Sequence, residues 1–113
     1  EVRHIVVLGH AQGGGIKASL EGANLGHGGH SFIDDWVDII RPARDKILGS
    51  SSQDPQRDLE LDAVRVSLAN LRSFPFIAAR EQSEQLKLHG AYFGIADGNL
   101  YVLNDKNDMF EVQ

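Results

Sequence analysis

Five histidines and no cysteine set the range of chemistry open to this chain of 113 residues. Without a thiol there is no thiolate metal ligand, no cysteine nucleophile and no disulfide. Imidazole is then the side chain best suited to bind a borderline metal or to carry a proton near neutral pH. His27 and His30 stand three residues apart in a glycine-rich stretch, a spacing that by itself reads first as a solvated loop. His4 and His89 belong to strand-like segments, where a histidine is commonly a satisfied core or surface residue. His10 differs in its place. It follows the apolar run at 5–8 and Gly9, and it precedes the triplet Gly13, Gly14 and Gly15. Strand, glycine turn and helix start put it at the carboxyl end of a strand, where open α/β sheets bind ligands. One histidine does not make a zinc site, so a metal-facing His10 and a plain strand-end His10 both remain open.

The glycine triplet suggests an anion. Backbone N–H groups at a helix start, here those of Gly14 and Gly15, are suited to hold one. Neither G-x-G-x-x-G nor G-x-x-x-x-G-K-[ST] fits residues 9–18, so the named nucleotide fingerprints fail. The alternative use of these glycines is close packing of helix on sheet. Ser19, Ser31, Ser67 and Ser73 lie in no nucleophile elbow, and Asp34, Asp35 and Asp38 read as a solvated helix face. From residue types alone, the chain has a ligand-ready loop and no complete reaction centre.

The elements that would position this loop follow from periodicity. Residues 5–8 are continuously apolar, the pattern of a strand buried on both faces, with Gly9 ending it. A short helix-like segment is expected at 16–20 and a loop at 22–30. Ser31 then resembles an N-cap, with Asp34 three residues on. Ile33, Trp36, Val37 and Ile40 fall on one helical face. Pro42 should stop or kink this helix, with continuation through 43–48 after a bend.

Asp54 and Pro55 open the next helix as N-cap and first helical residue. Its apolar face is Leu61, Val64, Leu68 and Leu71, and Phe74-Pro75-Phe76 ends it. One more short helix is expected at 77–85 and a strand at 86–95. Asp97-Gly98 reads as a tight hairpin turn into a returning strand at 100–103, with residues 109–112 as a short edge strand or a packed tail. A right-handed crossover sets the first strand parallel to the strand at 86–95. A doubly buried first strand also needs a second neighbour, which no other segment of this sequence supplies.

Bulk properties narrow the class. The length suits one domain over residues 1–113. A net charge of −5 without any basic cluster argues against a nucleic-acid surface. No apolar run approaches membrane-spanning length and no signal-peptide pattern opens the chain, which points to a cytoplasmic protein.

The residues from Ile5 through Leu8-Gly9-His10-Ala11-Gln12-Gly13-Gly14-Gly15-Ile16 resemble the β-class carbonic anhydrase segment ending in G-H-S-x-C-G-G-I. The resemblance continues through the Trp36 helix, Glu60 to Leu71, Asn70-Leu71-Arg72-Ser73-Phe74-Pro75-Phe76, Leu88-His89-Gly90-Ala91-Tyr92-Phe93 and the Asp97-Gly98-Asn99-Leu100 hairpin. It implies an α/β fold: a short, mostly parallel sheet with flanking helices and a C-terminal hairpin, the C-terminal portion of such a domain. Members of that family reversibly hydrate carbon dioxide to bicarbonate with zinc held by two cysteines and one histidine.

By position His10 matches the histidine ligand, and Gly13 stands where the family has its second cysteine. The family's first cysteine belongs to a C-x-D-x-R motif that would lie upstream of Glu1, on the strand that neighbours the first one. The resemblance therefore implies a zinc site reduced to His10, no stoichiometric zinc, and a chain without the family activity. The alternative is a non-catalytic module for assembly or anion binding. A homo-oligomer, dimer or higher, is expected in either case.

Overall fold

The computed structural model describes residues 2–11 and 32–113, with the backbone alone for 32–37. Four strands form one sheet in the order β1-β2-β3-β4: β1 His4–His10, β2 Lys87–Gly94, β3 Asn99–Asn104 and β4 Met109–Val112. Three helices, α1 Phe32–Leu48, α2 Pro55–Arg72 and α3 Pro75–Gln82, lie between β1 and β2 in sequence. The expected parallel partnership holds, with His4 opposite Lys87 and His10 opposite Phe93. β2 with β3 and β3 with β4 are antiparallel. The α/β class stands, but among the described residues the sheet is mixed rather than mostly parallel, because the two C-terminal hairpins outnumber the one crossover.

Asp54 caps α2 as expected: its Oδ1 accepts from the backbone N–H of Arg57 at 3.1 Å, and Pro55 is the first helical residue. α2 is the centre of the packing because it buries two rows of side chains. Leu59 and Ala63 meet Ile40 and Ile47 of α1, while Val64 and Leu68 meet Leu88, Leu86 and Ile77 on the sheet side. Periodicity identified the second row and missed the first; Leu61 and Leu71 are only half-buried. Pro42 does not end α1, which continues to Leu48. Ile40 and Ile47, buried against α2 on either side of the proline, hold the helix together across the lost hydrogen bond.

Two glycines permit close approach. A Cβ on Gly9 would lie 2.8 Å from Val64, and one on Gly90 would lie 2.9 Å from both Val64 and Leu68. Both positions let α2 settle onto the β1–β2 pair. Gly9 does not end the first strand, which runs on to His10. The β2–β3 connection spans residues 95–98, with Gly98 at φ +68° and Asp97 Oδ1 accepting from the N–H of Asn99 at 2.9 Å. It is a four-residue loop around Asp97-Gly98 rather than a two-residue turn.

The first strand corrects one expectation. Burial alternates along β1, and Val6 and Leu8 are 58% and 60% exposed. The described helices pack against one side of the sheet only, so residues 5–8 are not buried on both faces by them. Strand alternation and register put His4, Val6, Leu8 and His10 on the face away from α2 with Lys87, His89, Ala91 and Phe93 of β2, a face that is open apart from the buried Ala91. Leu100 and Met109 continue that face across β3 and β4.

Candidate functional site

His10 sits where strand logic puts it, at the carboxyl end of β1, exposed and in register with Phe93. The ladder continues one residue further through Ala11 N–H to the Phe93 carbonyl at 3.2 Å. The His10 ring turns back on its own backbone: Nδ1 lies 3.0 Å from the Ala11 carbonyl oxygen, which makes Nδ1 the protonated nitrogen and leaves Nε2 as the lone-pair donor. A neutral imidazole fixed in this way is competent as a metal ligand.

Gly13, Gly14 and Gly15, the segment 16–20, the loop with His27 and His30, and Ser31 lie outside the described residues. Among the described residues no group of three or more His, Cys, Asp or Glu side chains is placed to hold a metal ion. Zinc of the tetrahedral type needs at least three protein donors. The donors described at this strand end amount to one imidazole, which does not fit such an ion.

Behind Gly9, on the covered side of the same strand end, is a polar network that no sequence motif marks. Tyr92 Oη donates to Glu60 Oε1 at 2.7 Å, and Gln56 Nε2 donates to Glu60 Oε2 at 3.2 Å. Glu60 and Tyr92 are 5% and 1% exposed. The Arg57 guanidinium stacks over the rings of Tyr92 and Tyr101, at 5.4 and 4.9 Å from their centroids. Tyr101 Oη in turn donates to Asp97 Oδ2.

Burial raises the Tyr92 phenol well above its ordinary range, and the Glu60 carboxylate adds to this. The Tyr101 hydroxyl, followed by the Asn99 N–H, holds Asp97 below the usual carboxylate range. The network ties the start of α2 to the β2–β3 hairpin, beside the strand end that carries His10. A signal for it exists in the sequence: Glu60 precedes Val64 by four residues, on the row of α2 that faces the sheet. A buried carboxylate there must have partners.

A separate cavity of about 350 Å³ lies between α2 and β3–β4, lined by Arg65, Leu68, Arg72, Leu103, Asp105 and Asp108. Both of its guanidiniums are matched to carboxylates, Arg65 to Asp62 and Asp108, Arg72 to Glu81. It is remote from His10, since Leu103 belongs to the part of β3 furthest from the Gly94–Asn99 end.

A parallel strand pair ending in a histidine, backed by a helix that glycines allow to lie close, defines an α/β domain with its ligand edge at the strand carboxyl ends. The chain belongs to the carbonic anhydrase family, whose model, described as carbonic anhydrase, matches residues 1–100. It is 34% identical over 102 residues to Beta carbonic anhydrase 3 of Arabidopsis thaliana, covering 86% of this chain and 40% of that protein. Its fold matches the solved β-carbonic anhydrase CcaA with a TM-score of 0.82 at 23% identity, over 98% of this chain and 51% of that one. A β-carbonic anhydrase of Sordaria macrospora, described as tetrameric, matches with a TM-score of 0.73 at 22% identity, over 91% of this chain and 53% of that one. The chain thus spans about half or less of the length of these relatives. The family is zinc-dependent, and the described donor set here does not fit that metal.

Proposed function

We propose that this chain is a β-carbonic-anhydrase domain, one unit over residues 1–113, whose own residues do not assemble the family's zinc centre. As it stands it therefore does not speed the hydration of carbon dioxide to bicarbonate. The observation that carries this reading is the donor set. His10 is at the strand end, Gly13 has no side chain to coordinate anything, and the 113 residues contain no cysteine. Gly14 and Gly15, which lie outside the described residues, are the backbone anion donors this reading proposes, with bicarbonate binding without turnover as the residual property.

The retained fold serves assembly, and the supporting observation is the open sheet face. Val6 and Leu8 of β1, Phe93 of β2 and Leu100 of β3 are exposed apolar side chains on one face of the sheet, and β1 is an edge strand among the described residues. Apolar area and an unpaired edge together favour association with a second copy of the chain. The partner expected is a protein surface rather than nucleic acid, given the net charge of −5. None of the described helices is long and apolar enough to cross a membrane.

The test is a stopped-flow assay of carbon dioxide hydration with a pH indicator, paired with metal analysis of the purified chain. The expected rate equals that of a blank containing free zinc, and Gly13→Cys does not restore turnover. A zinc-dependent rate well above the blank, abolished by His10→Ala, would overturn the proposal. Stoichiometric zinc would favour an enzyme completed by another chain.

A further inference from the structure

We propose that His4 and His89 form a two-imidazole site for a divalent transition-metal ion, Ni²⁺ or Cu²⁺, on the open face of the sheet. The site is independent of His10, which lies six residues along β1 from His4, about 20 Å at the rise of a strand. His4 is opposite Lys87 in the parallel ladder, so His89, two residues on and on the same face, is its diagonal neighbour. The two rings are nearly parallel, with centroids 5.2 Å apart and planes inclined by 25°. His4 Nδ1 and His89 Nε2 approach to 3.0 Å.

That separation is a hydrogen-bond distance, and it brings the two nitrogens within reach of one ion. Two nitrogens in cis positions at 90°, each about 2.0–2.1 Å from an ion, are about 2.9 Å apart; tetrahedral geometry requires about 3.4 Å. Imidazole suits Cu²⁺ and Ni²⁺, whose square-planar or octahedral geometries accept two such donors in cis positions. Water fills the remaining positions, as the exposure of this face allows.

The protons balance. In the neutral pair one ring donates its N–H to the other; the ion replaces that shared proton, which is re-bound at the second nitrogen of the same ring. The contact between the two rings is a hydrogen bond, so each imidazole turns about 45° away from the N···N line to bring its lone pair onto a cis-coordinated ion. The nearby cation is Lys87, exposed on a flexible stem that swings clear. The chain as a whole carries −5, which favours a bound cation.

The experiment is a titration of the intact chain with Ni²⁺ in competition with a chromophoric chelator, for wild type, His4→Gln, His89→Gln, His10→Gln and the double variant His27→Gln/His30→Gln. Losing one of two linked donors turns a chelate into a single ligand, so His4→Gln and His89→Gln should each weaken binding by on the order of 100-fold. His10→Gln and the loop variant should bind as wild type does. A second readout needs no variant: substoichiometric Cu²⁺ should broaden the His4 and His89 imidazole proton resonances before the other three. Binding unchanged in both His4→Gln and His89→Gln overturns the site, as does early broadening at His10, His27 or His30 alone.

Discussion

Replacing Tyr92 by phenylalanine removes a single hydroxyl from a ring that is 1% exposed. The ring volume is nearly unchanged, so cavity formation contributes little, and the effect isolates one hydrogen bond. What is lost is the 2.7 Å donation to Glu60 Oε1, in a residue only 5% exposed, while the Gln56 amide remains at 3.2 Å. A hydrogen bond to a charged acceptor contributes about 1.5–3 kcal/mol, and we expect Tyr92→Phe to cost about 2 kcal/mol.

Unfolding entropy of about 2.1 cal/mol/K per residue gives a slope of roughly 0.24 kcal/mol/K for a chain of 113 residues. The variant should therefore melt about 8 °C below wild type by far-UV circular dichroism at neutral pH. A double-mutant cycle with Glu60→Gln separates the pair from its surroundings, and a coupling of about 1–2 kcal/mol is expected. A loss below about 0.5 kcal/mol together with no coupling would refute the reasoning, since it would mean the carboxylate is equally well solvated without the phenol.

Three further outcomes follow from the same packing. Gly90→Ala places a methyl 2.9 Å from both Val64 and Leu68, so overpacking should cost about 1–3 kcal/mol in urea unfolding. In a Tyr101→Phe background, absorbance at 295 nm should show Tyr92 ionising above the ordinary phenol range. Because its folded-state pKa is raised, the stability it contributes is complete below pH about 10 and lost as pH rises through the folded value. A normal alkaline titration of the folded chain would contradict the burial and bonding of that hydroxyl. Leu8→Lys, 60% exposed on the open face, should leave the fold intact and weaken self-association in sedimentation equilibrium; a wild-type chain monomeric at high micromolar concentration would argue against assembly through this face.

Much of the chain was legible because local rules and tertiary packing agree. Asp54-Pro55 starts a helix from its own side-chain and ring chemistry, and the tertiary structure had nothing to override. The same is true of the strand-forming runs that become β2 and β3, and of a loop where Gly98 takes a positive φ at no steric cost. Absence of cysteine and glycine at position 13 are facts of composition, and no fold alters what they exclude.

Other features could be decided only by the tertiary structure. Pro42 reads locally as a stop or a kink with the helix able to continue beyond it, and Ile40 and Ile47 against α2 decide for continuation, by packing energy invisible in a window of sequence. The apolar run at 5–8 gives no information on which face is covered, because periodicity reports hydrophobicity and not the neighbours that are present. The position of Glu60 on the sheet-facing row of α2 signals a buried carboxylate, but only the tertiary structure names its partner, Tyr92, 32 residues away. His4 and His89 are 85 residues apart, and only the parallel register places their ring nitrogens at 3.0 Å. Sequence determines what each residue can do; the pairing of distant strands determines which residues do it together, since that choice is made by the summed burial of the whole sheet and its helices.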